Sequence, residues 1–191
     1  MAVLEIIQPD NPILRKKAVR VTSFDKKFQQ LVDDMIDTML DAPGVGLAAP
    51  QVAVSQRVIV VRLPDDEASR EEYGKDAGVL YVVANPKIIK HSRNTVEGIE
   101  ACLSIPGYYG EVDRYESVVI TGQDRHGSDI RIKAKGWLAR VFQHELDHLD
   151  GQLFIDIASS IWRASDEAVT EGEVPEVEPE GAAPETGTEA E

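Results

Sequence analysis

Gly136-Trp137-Leu138-Ala139-Arg140-Val141-Phe142-Gln143-His144-Glu145-Leu146-Asp147-His148-Leu149 is the stretch from which the rest of the chain can be read. It contains no proline and ends at Asp150-Gly151, a dipeptide suited to a helix C-terminus. At about 100° per residue, Trp137, Val141, His144 and His148 share one face, with Arg140 at its edge. The spacing predicts a helix over 136–149. Within it, His144-Glu145-Leu146-Asp147-His148 is an H-E-x-x-H pattern. Two histidines four apart project from one helix face about one turn apart, so both imidazoles can reach one metal ion. Glu145 sits where it can reach a water at that ion without ligating it. The plain alternative is a pair of surface histidines, and the Trp137 and Val141 flanks count against it.

A catalytic metal needs a third protein ligand. Downstream of His148 come Asp150, Asp156 and Asp166, with no histidine and no framed glutamate helix such as a zinc endopeptidase would carry. Upstream lies the single cysteine, in Glu100-Ala101-Cys102-Leu103-Ser104-Ile105-Pro106-Gly107. A lone cysteine is usually a small buried hydrophobe. Beside an H-E-x-x-H it is also a candidate thiolate ligand. Cys-His-His with one open position suits catalysis, because a structural site would be closed by four protein ligands.

Outward from these motifs the chain changes period. Phe28, Leu31, Val32, Met35, Ile36, Met39 and Leu40 form a helical stripe over 24–41, with Thr22 or Ser23 as its cap and Pro43-Gly44 as its end. Its methionines read as core filler. Arg57–Leu63, with Val58-Ile59-Val60-Val61, and Val79–Ala84 read as strands, and the acidic stretch 64–78 as a surface loop. Ser117–Thr121 and Ser128–Ala134 flank Asp124-Arg125-His126-Gly127, a hairpin signal. The pattern predicts an α+β fold with mostly antiparallel sheet.

The chain has 191 residues, with 20 Lys and Arg against 34 Asp and Glu, a formal charge of −14. Its acidity argues against nucleic-acid binding, DNA included, and against an anionic membrane surface. One cysteine excludes a disulfide scaffold, no apolar run reaches membrane-spanning length, and the first residues lack the features of a signal or transit peptide. These features predict a soluble cytoplasmic protein. Ten acids and no base lie beyond Ala164, which leaves 20 bases and 24 acids in residues 1–163. The reading is one domain over 1–163 and an acidic, disordered tail over 164–191 that acts as a solubilising extension or a partner-binding segment.

Three segments, Gly44-Val45-Gly46-Leu47-Ala48-Ala49-Pro50-Gln51, Glu100-Ala101-Cys102-Leu103-Ser104 and Gln143-His144-Glu145-Leu146-Asp147-His148, together resemble the peptide deformylase family across about residues 5–160. The resemblance implies mixed, mostly antiparallel sheets around a central helix bearing the histidines, with a helix nearer the N-terminus. It implies a metal-dependent hydrolase that removes the formyl group from N-formyl-methionyl nascent peptides and releases formate. Cys102, His144 and His148 would hold one divalent ion, generally ferrous iron in this family, with zinc, nickel or cobalt able to substitute. Glu145 would be the general base, with Gln51 and the Leu103 backbone N–H as donors to the formyl oxygen. Gly46 would let the peptide backbone approach, and Trp137, Val141 and the stem of Arg140 would wall the methionine pocket. Glu100 pairing with Arg114 would brace the cysteine loop. Any ribosome contact would not run through the acidic tail. Where the family most often has glycine this chain has Ala101, for which close packing rather than strain is expected. The rival readings are a zinc endopeptidase and a catalytically silent deformylase-like protein.

Overall fold

Val58-Ile59-Val60-Val61 is apolar at every position because the strand that contains it is covered on both faces. The computed structural model describes residues 2–164, so the expectation of a disordered 164–191 tail falls almost wholly outside the described residues. In chain order the elements are helix α1 (Lys26–Asp41), strands β1 (Gly46–Ala48) and β2 (Val58–Arg62), and helix α2 (Glu67–Tyr73). Strands β3 (Leu80–His91), β4 (Thr95–Cys102), β5 (Ile105–Tyr115), β6 (Ser117–Gln123) and β7 (Asp129–Lys135) follow. Helix α3 (Gly136–Asp150) and strand β8 (Ser160–Arg163) complete them. Two antiparallel sheets result, one five-stranded in the order β1-β2-β3-β6-β7 and one three-stranded in the order β4-β5-β8.

The five-stranded sheet lies between the two long helices. Val58 and Val60 join Phe28, Val32, Met35 and Met39 of α1 in one cluster. Ile59 and Val61 join Val83, Val118, Ile120, Ala134 and the α3 residues Leu138, Val141 and Phe142 in another. A period of two on the strand and one near 3.6 on each helix thus fill two cores from one sheet. The two methionines of α1 behave as expected, with Met35 and Met39 fully buried. Leu40, counted in the stripe, is exposed.

Three local expectations need correction. The cap of α1 is Asp25, not Thr22 or Ser23, and its carboxylate accepts from the backbone N–H of Lys27 and Phe28 at 2.9 and 3.1 Å. Residues 64–78 are not all loop. Asp66 caps α2 by accepting from the N–H of Ser69 at 2.9 Å, and Glu67 favours the positive end of that short helix. The cysteine segment belongs to a paired strand, β4, which its mixed composition concealed. At the far end of α3, Gly151 takes a left-handed φ of 79° and closes the helix as its sequence position suggested. Among the described residues no helix is long and apolar enough to cross a membrane.

Candidate metal centre

The site forms where two periodicities coincide. On β4, alternate residues Gly98, Glu100 and Cys102 turn towards α3, while Ile99 and Ala101 are exposed. On α3, Arg140, His144 and His148 recur every four residues. Two residues of strand advance about 6.7 Å and four of helix about 6.0 Å, so the two series stay in step for three rungs. Arg140 lies against Gly98 and donates to its carbonyl at 3.2 Å. Glu100 Oε2 accepts from His144 Nδ1 at 2.9 Å. Cys102 Sγ stands 3.2 Å from His148 Nε2.

One ligand atom from each of Cys102, His144 and His148 lies within 4.8 Å of the others, and all three residues are buried. The Glu100 contact at Nδ1 leaves Nε2 of His144 for the site. A carboxylate behind a histidine is the usual means of fixing its tautomer and orientation. Glu100 is itself gripped by Arg114 in a two-pronged pair at 2.8 and 3.0 Å and by Arg140 at 3.0 Å. Burial pushes the Glu100 carboxyl up, but the hydrogen bonds from His144 and Arg114 outweigh it and bring the pKa down to about 2. Arg114 reaches on to Asp147 at 2.6 Å, whose pKa burial raises.

These residues fit a divalent cation. Burial alone would remove the proton from His144, yet the neighbouring Cys102 and Glu100 hold its pKa well above the ordinary value. A place where a sulfur and a carboxylate retain positive charge against burial is one where a metal ion can replace that proton. His148, buried beside it, has its pKa pushed well down and so presents a neutral imidazole. One thiolate and two imidazoles form a borderline-soft set suited to zinc, iron, cobalt or nickel.

Glu145 stands next to the ligands, buried, with Oε2 lacking a hydrogen-bond partner among the described residues. Burial raises its pKa to about 7; nearby Glu100 and Asp147 add to the rise and His144 opposes it. Gly46 makes room for it. A Cβ there would come within 2.3 Å of Glu145 Oε1, so the glycine serves the base as well as any backbone that approaches. Gln51 sits in a 3-10 turn, Ala49–Val52. Its Oε1 accepts from the Ala48 N–H at 2.8 Å, which aims Nε2 at Ser104 Oγ (3.3 Å) and Cys102 Sγ (3.5 Å). Leu103 and Ser104 form the two-residue turn between β4 and β5.

A cavity of about 450 Å³ opens over these groups, lined by Gly46, Gln51, Cys102, Leu103, Trp137, Arg140, Val141, His144 and Glu145. Trp137 is 37% exposed at its rim, whereas Arg140 is buried, its guanidinium tied to Glu100 and to the carbonyls of Val96, Gly98 and Val112. Ala101 lines the same cavity and is exposed rather than closely packed. It is not among the residues of positive φ, so the alanine is unstrained. Sequence reasoning missed Ser104, Asp147 and the wall formed by Ile99 and Tyr109. Asp147 lies inside the H-E-x-x-H itself and was open to that reading. His91 and His126 lie away from the cavity.

A family model described as polypeptide deformylase matches residues 3–164. A curated peptide deformylase of Symbiobacterium thermophilum is 48% identical over 182 residues, covering 94% of this chain and 79% of the relative. A crystal structure of a peptide deformylase from Legionella pneumophila shares 41% identity at a TM-score of 0.73, covering 83% of this chain and 87% of that one. A Met-Ala-Ser-bound peptide deformylase from Acinetobacter baumannii shares 35% identity at a TM-score of 0.74, covering 82% and 99%.

Proposed function

The chain belongs to the polypeptide deformylase family, metal-dependent enzymes that remove the formyl group from nascent peptides, and on that premise we propose which of its residues carry each step. The observation that carries the assignment is the convergence of Cys102, His144 and His148 within 4.8 Å beside a Glu145 oxygen that has no partner among the described residues. Cys102, His144 and His148 are the residues that would hold the ion. When bound, a divalent ion supplies Lewis acidity and makes a water acidic enough to ionise near neutral pH.

Glu145 accepts the proton of the attacking water at its carboxylate and returns it to the departing amine, so the peptide leaves with a free α-amino group. As the formyl carbon becomes tetrahedral, its oxygen gains negative charge. Gln51 Nε2, held by the Ala48 and Ser104 contacts, and the backbone N–H of Leu103 donate to that oxygen. Formate is the second product.

The substrate is an N-formyl-methionyl peptide. Strand β1 is an edge strand beside the cavity, so the peptide backbone can add to it as a further strand. The methionine side chain enters the cavity against Val141, Trp137 and the stem of Arg140, whose charge is already used by Glu100. That the Acinetobacter baumannii relative binds Met-Ala-Ser supports this reading. Ferrous iron is the proposed native ion, and metal analysis after anaerobic purification tests it. A cytoplasmic location belongs to the same proposal, because formylated nascent chains are made there. No ribosome contact is assigned to the acidic residues 164–191, which RNA phosphates would repel.

The deciding assay gives the metal-loaded protein formyl-Met-Ala and casein in parallel. Formate release with intact casein is the expected result, and casein cleavage would instead favour an endopeptidase. Cys102→Ser should lose most of its metal, since a neutral hydroxyl replaces a thiolate. Full metal content and activity in that variant would mean that the third ligand lies elsewhere.

A further inference from the structure

Directly ahead of each ligand histidine on α3 stands a residue that holds a strand. Gln143 precedes His144 and Asp147 precedes His148, so these two also lie four apart, on a row about 100° round the helix. Both engage the end of β5. Gln143 is buried; its Oε1 accepts from the Tyr115 N–H at 3.0 Å, while Nε2 donates to the carbonyls of Tyr115 at 2.9 Å and Ala139 at 3.0 Å. Exchanging two bonds with one residue is what a neighbouring antiparallel strand does. Among the described residues β8 pairs with β5 only over Tyr108–Glu111, and on that edge the Glu111 carbonyl accepts from the Ser159 N–H. Tyr115, an even number of residues further along, turns its backbone groups to the same edge, and there the amide of Gln143 stands in for a strand. Turning that amide over would set its oxygen against two carbonyl oxygens, so its orientation is fixed.

Four residues on, Asp147 Oδ2 accepts from Arg114 Nη1 at 2.6 Å, while Nε and Nη2 of the same guanidinium hold Glu100 at 2.8 and 3.0 Å. Arg114 is therefore fixed at both ends, at its backbone through the adjacent Tyr115 and at its tip through Asp147. An arginine free on its long stem would lose much rotamer entropy in reaching Glu100, and the two contacts from α3 pre-organise it. We infer that Gln143 and Asp147 are positioning residues of the metal centre: they fix the end of β5, β5 presents Arg114 to Glu100, and Glu100 orients His144 through Nδ1. The inference rests on the reading of His144 as a ligand. The helix then carries two rows with separate tasks, His144 and His148 for the ion, Gln143 and Asp147 for the strand that supports it. Because both rows belong to one rigid helix, the ligands and their support keep their relative places.

Gln143→Met keeps the length of the side chain and removes its three hydrogen bonds, and Asp147→Asn keeps the shape and removes the charge. Chelator competition on the folded, cobalt-loaded protein measures affinity, and the visible absorption of the bound cobalt reports the geometry of its ligands. Affinity should fall about tenfold for Gln143→Met and about threefold for Asp147→Asn, with a shifted cobalt spectrum in both. The decisive arm is a cycle with Arg114→Met. If Gln143 acts through Arg114, adding Gln143→Met to Arg114→Met should lower affinity by less than about twofold more. A full tenfold loss in that background overturns the inference. So does native affinity and spectrum in Gln143→Met with a lowered Tm, which would leave Gln143 only closing the edge of β5. Should Gln143→Met fail to fold, Asp147→Asn decides by itself, and native affinity there is equally fatal. His144→Ala separates the underlying reading. Cobalt retained in that variant would defeat the ligand assignment, whereas cobalt lost there but held normally by Gln143→Met and Asp147→Asn would defeat this inference alone.

Discussion

The five-stranded sheet meets α3 through Ile59, Val61, Val83, Val118, Ile120 and Ala134, all buried and apolar, whereas the three-stranded sheet meets the same helix through Glu100, Cys102 and Arg114. The first contact is held by area removed from water, which is non-directional and tolerates small shifts. The second consists of hydrogen bonds and ion pairs that hold only at the right distance and angle, and a buried charge left unpaired there is costly. One helix thus takes its stability from one side and its chemistry from the other. Substitutions on the two sides should therefore fail in different assays.

The sharpest test is Glu145→Gln, which keeps shape and removes the proton acceptor. Formate release should fall by about 10²-fold to 10⁴-fold with metal content unchanged. Near-normal turnover would break the assignment of Glu145, and a metal-free variant would make it part of the scaffold. Gly46→Ala comes next. Its Cβ would stand 2.3 Å from Glu145 Oε1, so the base must move, and a loss of about 10²-fold in kcat is expected with the thermal midpoint little altered. Unchanged kcat would show that Glu145 has slack on its β1 side.

Glu100→Gln acts one bond further from the ion. It leaves Arg114 and Arg140 without their shared carboxylate and His144 without a charged partner, so metal affinity should drop about 10-fold to 100-fold. Competition with a chelator measures it, and wild-type affinity would refute the bracing role. The smallest effect belongs to the apolar side. Ile120→Val deletes one buried methylene and should cost about 0.5–1.5 kcal/mol, a few degrees in Tm, with metal affinity and kcat preserved. A loss of metal in that variant would show that the two sides of α3 are coupled.

The sequence determined a good deal of this unaided. The helix with its two histidines, the stripe of α1, the buried run of β2 and the β6–β7 hairpin were all legible, because each depends on local periodicity, and the pairing of Glu100 with Arg114 followed from the family resemblance. The match of three separated motifs also named the family later found over residues 3–164. Only the tertiary structure decided that β4 lies against α3 in step with it, that the Arg140 guanidinium belongs to Glu100 rather than to open cavity, and that Gly46 yields its space to Glu145. Strand register likewise decides that Lys87, Lys90, Arg131, Lys133 and Lys135 come together on β3 and β7, beside β6. Periodicity reports which way a side chain points from its own element, but the partner it meets depends on how elements forty or more residues apart are docked. That docking is settled by packing of the whole core, which no local stretch of sequence encodes.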